Sequence, residues 1–242
     1  MISRYTDAMG IDAVPESLGL IPDGNRRWAR AHKISFLSGY RYGVKKFVDF
    51  SNWCIDYGIK NLSVWALSTE NLNRPKHELN ALFNIYRSAA TDKKLIGDLH
   101  SNETKFRIIG NYRLLPRDLL ERLKKLEYET ASYKKRTLSM LIGYGGKDDI
   151  LHAVNAIADR VKKGSLKRIT GSVFSSYLFS AGIGDLDFII RTSGEMRLSG
   201  FMPWQSGYAE LYFSKKLWPD FSKRDLGMAL EEYSRRERRF GR

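Results

Sequence analysis

Three short stretches of this 242-residue chain concentrate the residue types that grip phosphate. They are Asp23-Gly24-Asn25-Arg26-Arg27, then Ser68-Thr69-Glu70-Asn71 with Arg74, then Arg191-Thr192-Ser193-Gly194-Glu195 with Arg197. A guanidinium offers a planar fork of N–H donors that matches phosphate oxygens, and Gly and Ser let backbone N–H groups approach an anion closely. An isolated Asp-Gly-Asn is better explained as a structural turn. Three such sets, each with arginine beside small residues, point instead to a diphosphate. The common nucleotide signatures are absent: no Gly-x-x-x-x-Gly-Lys loop, and no Gly-x-Gly-x-x-Gly after the first strand. His32, His77, His100 and His152 are scattered, and Asp148-Asp149 runs into Ile150-Leu151-His152 without an aspartate-rich metal motif. A magnesium ion here is expected on a lone carboxylate plus the substrate's phosphates.

The elements that must position these residues follow from periodicity. Apolar runs at 18–21, 61–67, 105–109, 138–142, 187–190 and 209–213 read as strands. Helical patterns fill 40–57 (ended by Gly58), the stretches after Pro75 and Pro116, 148–162, and the C-terminal run from about 223. Strands alternating with helices predict an α/β fold with a central six-stranded parallel sheet flanked by helices. Ligands of such sheets sit beyond the carboxyl ends of the strands, where all three polar sets fall. No repeat, linker or low-complexity tract divides the chain, so residues 1–242 are expected to form a single domain.

Composition narrows the class. Hydrophobic residues make up 43% and charged residues 28%, which excludes a mainly disordered chain. The uncharged stretch 171–184 is too short and too rich in Ser and Gly to cross a bilayer. The first residues carry Asp7, Asp12 and Glu16 and no apolar core, unlike a secretory signal. Cys54 is the only cysteine, so no internal disulfide forms and a cytoplasmic location is expected. Lys and Arg number 41 against 27 Asp and Glu, a net +14 that calls for an anionic partner. The basic residues of 113–136 and 223–242 alternate with acids, the pattern of solvated helix faces, and no nucleic-acid-binding signature accompanies them.

The residues then carry a resemblance. The segments 23–29, 68–75 and 191–199 are similar to the cis-prenyltransferases, the undecaprenyl and dehydrodolichyl diphosphate synthase family. Trp204-Gln205, Tyr208-Ala209-Glu210-Leu211, Leu217-Trp218-Pro219-Asp220-Phe221 and Arg239-Phe240-Gly241 match as well, in order, over nearly the whole chain. The resemblance implies a homodimeric enzyme with a hydrophobic tunnel, joining an allylic prenyl diphosphate to isopentenyl diphosphate with Mg²⁺. By that resemblance Asp23 holds the metal on the allylic diphosphate, which Gly24, Asn25, Arg26 and Arg27 cradle beside Trp28 and Tyr40. Asn71 helps proton removal, with Ser68, Thr69, Glu70 and Arg74 around it. Arg191, Arg197, Leu198 and Ser199 take the acceptor, Glu210 touches a metal near that site, and Arg239 reaches the partner subunit's site. Phe50, Trp53, Cys54 and Tyr57, with Leu79, Leu82, Phe83 and Tyr86, are expected to wall the tunnel. Polyprenyl products partition into membranes, so part of the basic surface is expected to dock on anionic lipid.

Several positions depart from that family's pattern. Pro22 replaces a methionine, Arg26 a glycine, Phe36 an arginine that grips the allylic diphosphate, Tyr40 a histidine, Leu72 a tryptophan, Met196 a histidine and Gly200 an asparagine. They imply altered donor handling, chain length or acceptor choice, with dimethylallyl diphosphate as one candidate acceptor. Two rival readings stay open at this level. A non-catalytic subunit of a heteromeric enzyme is disfavoured by the intact Asp23, Asn25 and Arg27, and a basic nucleic-acid-binding protein lacks a motif to support it.

Overall fold

The structure, a computed structural model, describes residues 11–236, so Arg239 lies outside the described residues. Six strands form one sheet: β1 (Ser17–Ile21), β2 (Asn61–Ser68), β3 (Thr104–Ile109), β4 (Arg136–Tyr144), β5 (Phe188–Arg191) and β6 (Glu210–Phe213). Their order is β3-β4-β2-β1-β5-β6, and every pairing is parallel. The sheet, its strand count and its direction agree with the sequence expectation.

The strand order decides where the chemistry sits. β1 lies between β2 and β5, with Leu20 opposite Val64 and Ile21 opposite Arg191. The three polar sets therefore leave three neighbouring strands on the same edge. After β1 the chain first builds one side of the sheet and later returns to the other, which opens a crevice at that reversal.

Side chains alternate across the sheet because the strand period is two. Leu18, Leu20, Val64, Phe106 and Ile108 point into one core, while Ile21, Ile109, Leu141 and Ile189 point into the other. The first core is covered by α2 (Phe36–Asp56), α3 (Lys76–Ala89), α4 (Lys93–Ser101), α5 (Arg117–Glu129) and α8 (Lys223–Ser234), once α1 (Asn25–Ala31) has led out of β1. The second core is closed by Phe179, Phe201 and Met202. Their loops hold α6 (Gly146–Lys162), whose Asp149 accepts from Ser180, and the short α7 (Gly171–Ser176), whose Phe174 packs against Trp204.

Three helices were not foreseen: α1, α4 and the short α7, which lies in the Ser- and Gly-rich stretch 171–184. α1 follows β1 almost at once, because Gly24 makes the turn in the left-handed region at φ +109° and the helix starts at the next residue. α4 is interrupted by Gly97, which hides its period, although Asp92 caps it by accepting from the Leu95 N–H at 2.9 Å. α2 starts four residues earlier than expected, at Phe36, because Ser35 accepts from the Ser38 N–H at 3.0 Å.

α8 is anchored by a capping box. The Ser222 hydroxyl accepts from the Asp225 N–H at 3.3 Å, and the Asp225 carboxylate accepts from the Ser222 N–H at 2.8 Å and Lys216 Nζ at 2.9 Å. Burial alone raises the Asp225 pKa, but the bonds from Ser222 and Lys216 outweigh it and hold the carboxyl below its ordinary value. A carboxyl lowered in this way stabilises the fold above its unfolded pKa of about 3.9, and that contribution disappears as pH falls through the folded value. Asp225→Asn is therefore expected to cost ~1 kcal/mol at pH 7, judged by helix-cap losses elsewhere. Urea midpoints measured from pH 7 downward should show wild type and variant converging below about pH 4.

Candidate functional site

The backbone of Asp23 is pinned from both sides before its side chain does anything. Its carbonyl accepts from the Thr192 hydroxyl at 2.7 Å and from the Trp218 N–H at 3.0 Å. The Asp23 carboxylate then accepts from Arg191 Nη2 at 2.9 Å, while its other oxygen lies 3.9 Å from Arg27 Nη2. Arg191 is only 5% exposed, and its Nη1 also donates to the Ser199 hydroxyl at 2.9 Å and to the Arg197 carbonyl. One buried guanidinium thus ties the loop after β1 to the loop after β5.

That second loop is held in costly conformations. Ser193 and Ser199 have φ of +82° and +53°, in the left-handed region that non-glycine residues avoid. Such residues cost on the order of 1–3 kcal/mol each and persist where surrounding bonds over-determine them. Here the Ser193 N–H donates to the Lys216 carbonyl and the Gly194 N–H to the Ser214 carbonyl at 2.8 Å. The Ser193 hydroxyl accepts from Arg27 Nη2 at 2.6 Å.

Asn25 is seated by Gly43 of α2. A Cβ at Gly43 would lie 2.2 Å from Asn25 Oδ1, so only glycine lets α1 approach α2 this closely. Asn25 Nδ2 donates to the Pro22 carbonyl at 3.2 Å, and Oδ1 is buried without a hydrogen-bond partner. Across the opening, Arg74 Nη1 donates to the Tyr40 hydroxyl and Nη2 to Asn71 Oδ1, each at 2.7 Å. The Asn71 N–H donates to the Ser68 hydroxyl at 3.2 Å. Arg26 reaches Glu78 at 3.3 Å with its guanidinium over the Phe36 ring.

These groups surround the mouth of a cavity of about 730 Å³. Asp23, Gly24, Asn25, Arg26, Arg27, Tyr40, Ser68, Glu70, Asn71, Arg74, Arg191 and Ser199 all line it. Below the mouth the walls turn apolar, through Val44, Phe47, Ala66 and Met140 to Leu99, Phe106, Leu123, Leu126 and Leu138. Tyr86 also lines it, but its hydroxyl donates to the Ala66 carbonyl, and burial pushes its pKa upward, so the phenol stays neutral. A charged rim over a dry shaft suits an anionic head on a hydrocarbon tail.

Other expected residues fall elsewhere. Trp28 is buried beside the mouth, donating Nε1 to Asp220 at 2.7 Å and stacking on His32. Thr69 donates its N–H to the Tyr144 carbonyl, and Leu198 packs on the second core. Arg197 stands on the outer rim against Glu195. Glu210 opens β6, at the end of the sheet away from Asp23, and accepts from Arg236 at 2.8 Å. Phe50 and Cys54 are not on the cavity wall: Phe50 packs against Trp218 and Phe221, and the wall of α2 is Tyr40, Gly43, Val44 and Phe47. Trp53, Tyr57, Leu79, Leu82 and Phe83 also lie off the lining, which α3 supplies with Tyr86 and Ala89. The helix that starts at 36 instead of 40 carries its inward face at its N-terminal half, which the stripe alone did not locate.

Arg30 was missed. It lines the mouth three and four residues after Arg27 and Arg26, a helical spacing visible in the sequence once α1 is known to be a helix. Glu195 and Ser193, which hold Arg27, were quoted within a motif without a role.

Comparison with known proteins agrees with this arrangement. Residues 21–241 match a family model described as putative undecaprenyl diphosphate synthase. Over 235 residues the chain is 44% identical to a tritrans,polycis-undecaprenyl-diphosphate synthase (geranylgeranyl-diphosphate specific) of Methanopyrus kandleri, covering 95% of this chain and 85% of that one. It is 40% identical to an isoprenyl transferase of Thermotoga maritima, with 94% and 97% covered. Its structure is similar to lavandulyl diphosphate synthase from Lavandula x intermedia in complex with dimethylallyl diphosphate, with a TM-score of 0.90, 33% identity, and 95% and 99% of the two chains covered.

Arg191→Lys tests the buried tie. Lysine is a point charge that cannot span Asp23, Ser199 and the Arg197 carbonyl together. Hydrogen bonds to charged groups are worth about 1.5–3 kcal/mol each. The variant should melt about 4–8 °C lower in calorimetry and bind inorganic diphosphate at least ~10-fold more weakly.

Proposed function

The chain belongs to the cis-prenyltransferase family of undecaprenyl diphosphate synthases, and on that premise we propose that it condenses an allylic prenyl diphosphate with isopentenyl diphosphate, in a Mg²⁺-dependent reaction that creates a cis double bond. The observation that carries this reading is one cavity whose mouth is ringed by arginines from three loops and whose shaft is apolar. Such a shape accepts two diphosphate heads side by side and hides one hydrocarbon tail from water.

The roles follow from the groups present. Asn25, Arg26, Arg27 and Arg30 face the donor diphosphate, and their cationic and N–H donors stabilise the charge that grows on it as it leaves. Arg191, Arg197 and Ser199 take the acceptor diphosphate, which sets the acceptor's alkene beside the allylic carbon. Asn71, oriented by Arg74, stands where the proton leaves the acceptor. An amide is too weak a base to take that proton alone, so its part is to hold the group that does. The apolar shaft excludes water, which would otherwise capture the allylic cation.

The residues fit a magnesium ion. Among the described residues no three His, Cys, Asp or Glu side chains cluster, so the protein alone makes no cage. Asp23 is part-exposed, with one oxygen given to Arg191 and the other 3.9 Å from Arg27, beyond hydrogen-bond reach. A hard cation on that oxygen and on diphosphate oxygens matches the way Mg²⁺ binds, and it would lower the barrier to diphosphate departure. Glu210 is retained as a metal-contacting residue only by resemblance.

A homodimer is part of the same reading. α6 presents Leu151, Val154 and Val161 to solvent, and Trp204 and Tyr208 are exposed too, an apolar area fit to be covered by a second copy. Peripheral contact with anionic lipid suits an amphiphilic product. No helix among the described residues is long and apolar enough to cross a membrane. The similarity to lavandulyl diphosphate synthase keeps dimethylallyl diphosphate as a second acceptor to test.

Asp23→Asn keeps an acceptor for Arg191 and removes the charge. With Mg²⁺, labelled isopentenyl diphosphate and donors of several lengths, transfer should fall at least ~100-fold while the circular dichroism spectrum is unchanged. A variant that turns over like wild type would overturn the assignment, and chromatography of wild-type products by chain length identifies donor and acceptor.

A further inference from the structure

Arg27 and Arg197 come from different loops and, in the reading above, serve different substrates. Yet they share one carboxylate. Arg27 Nη1 lies 3.2 Å from Glu195 Oε1, and Arg197 Nη1 donates to Glu195 Oε2 at 2.5 Å. Each oxygen holds one guanidinium. We propose that Glu195 is a positioning residue that fixes the donor-side Arg27 relative to the acceptor-side Arg197, and so sets the spacing of the two diphosphates; this rests on the transferase reading.

The loop that carries Glu195 is rigid independently of its carboxylate. Thr192 is bonded to the Asp23 carbonyl, Ser193 and Gly194 to the backbone at 216 and 214, and the Arg197 carbonyl and Ser199 hydroxyl to Arg191. Ser193 and Gly194 are both left-handed, at φ +82° and +77°, and this tight turn aims Glu195 back across the mouth toward α1. The side chain is 28% exposed, so Glu195→Gln, which keeps its volume, separates the loss of the carboxylate from the loss of packing.

The charges explain why a carboxylate belongs there. Arg26, Arg27, Arg30, Arg74 and Arg191 crowd the mouth, with Arg197 on its rim. Guanidiniums this close repel each other until an anion arrives, and long side chains on a half-exposed rim otherwise sample many rotamers. Glu195 occupies one N–H of each arginine out of five. Apart from the Arg27 Nη2 bond to Ser193, the remaining donors point toward the mouth in one geometry, available to phosphate oxygens. Ser193, at 2.6 Å from Arg27 Nη2, marks a hydrogen bond that a phosphate oxygen can take over.

No isostere can do both jobs. Glutamine has one acceptor oxygen and one NH₂, so it can hold one arginine and must turn a donor on the other. Aspartate is one methylene shorter and reaches only one of the two. Alanine releases both. The two arginines are 46% and 60% exposed, and ion pairs to such side chains are worth little to folding, so the variants should keep the fold. Their effect should appear in binding and turnover.

Double-mutant cycles test this. Wild type, Arg27→Ala, Arg197→Ala, Glu195→Ala and the two Glu195 pairs are assayed for KM of donor and acceptor and for kcat, with Glu195→Gln as the shape-conserving variant. Glu195→Ala should raise both KM values at least ~5-fold, and Glu195→Gln should raise one more than the other. Arg27→Ala should harm the donor KM at least ~3-fold less when Glu195 is already gone, and Arg197→Ala the acceptor KM likewise. Melting temperatures should stay within a few degrees throughout, so a purely structural role is excluded by the KM changes. Additive cycles at both arginines, or KM values within twofold of wild type in Glu195→Ala and Glu195→Gln, would overturn the proposal. If wild type transfers no prenyl group to any acceptor, the transferase reading fails; the cycles are then read on inorganic diphosphate affinity, where non-additivity supports the shared carboxylate and additivity rejects it.

Discussion

The site depends on one buried contact, the fork of Arg191 between Asp23 and the loop that ends at Ser199. β1 and β5 are neighbours because their backbones pair, but pairing alone leaves the loops beyond them free. The guanidinium closes that gap, and it tolerates burial because a carboxylate, a hydroxyl and a carbonyl oxygen take up its two Nη groups, while its Nε is buried without a partner. Around it the Asp23 carbonyl receives Thr192 and Trp218, so the backbone cannot drift even when the side chain exchanges partners. Strain at Ser193 and Ser199 is the counterpart of this bracing, since a relaxed loop would point Glu195 and Arg197 elsewhere.

The second organising constraint is the separation of charge from hydrocarbon. Arginines ring the mouth, and below them the lining is leucine, phenylalanine, valine and methionine. The polar tip of Tyr86 is committed to Ala66, so the wall presents carbon to the cavity. A diphosphate cannot enter the shaft without losing its partners, and a prenyl tail cannot stay at the mouth without exposing apolar surface. For the proposed prenyl diphosphates, desolvation cost on both ends sets the orientation.

Much of this was legible in the chain itself. The alternation of strands and helices, the parallel sheet and the three polar sets at strand ends rest on local period and residue type, and these survive folding. Asp23, Asn25, Arg27, Asn71, Arg74 and Arg191 were readable because three arginine-bearing polar sets follow three strands, whereas Tyr40 and Ser199 came only through the family resemblance. The placement of Phe50 was not, since a helix apolar on several faces can turn any of them to a cavity, and the contact with Trp218 is made by residues 168 positions apart. Arg30 escaped for a similar reason: its spacing carries meaning only after α1 is recognised as a helix, and Gly24 masked its start.

Sequence by itself determined where residue types suited to an anion concentrate, on what type of element most of them reside, and which family the chain resembles. Tertiary structure alone decided which loops are neighbours, which side of α2 faces the cavity, and that Arg27 and Arg197 close on the same carboxylate. The division has a physical cause. Residue chemistry and short-range periodicity are properties of a few consecutive positions, whereas the adjacency of β1 with β2 and β5, and every shared contact beyond it, is set by long-range pairing that no local stretch encodes.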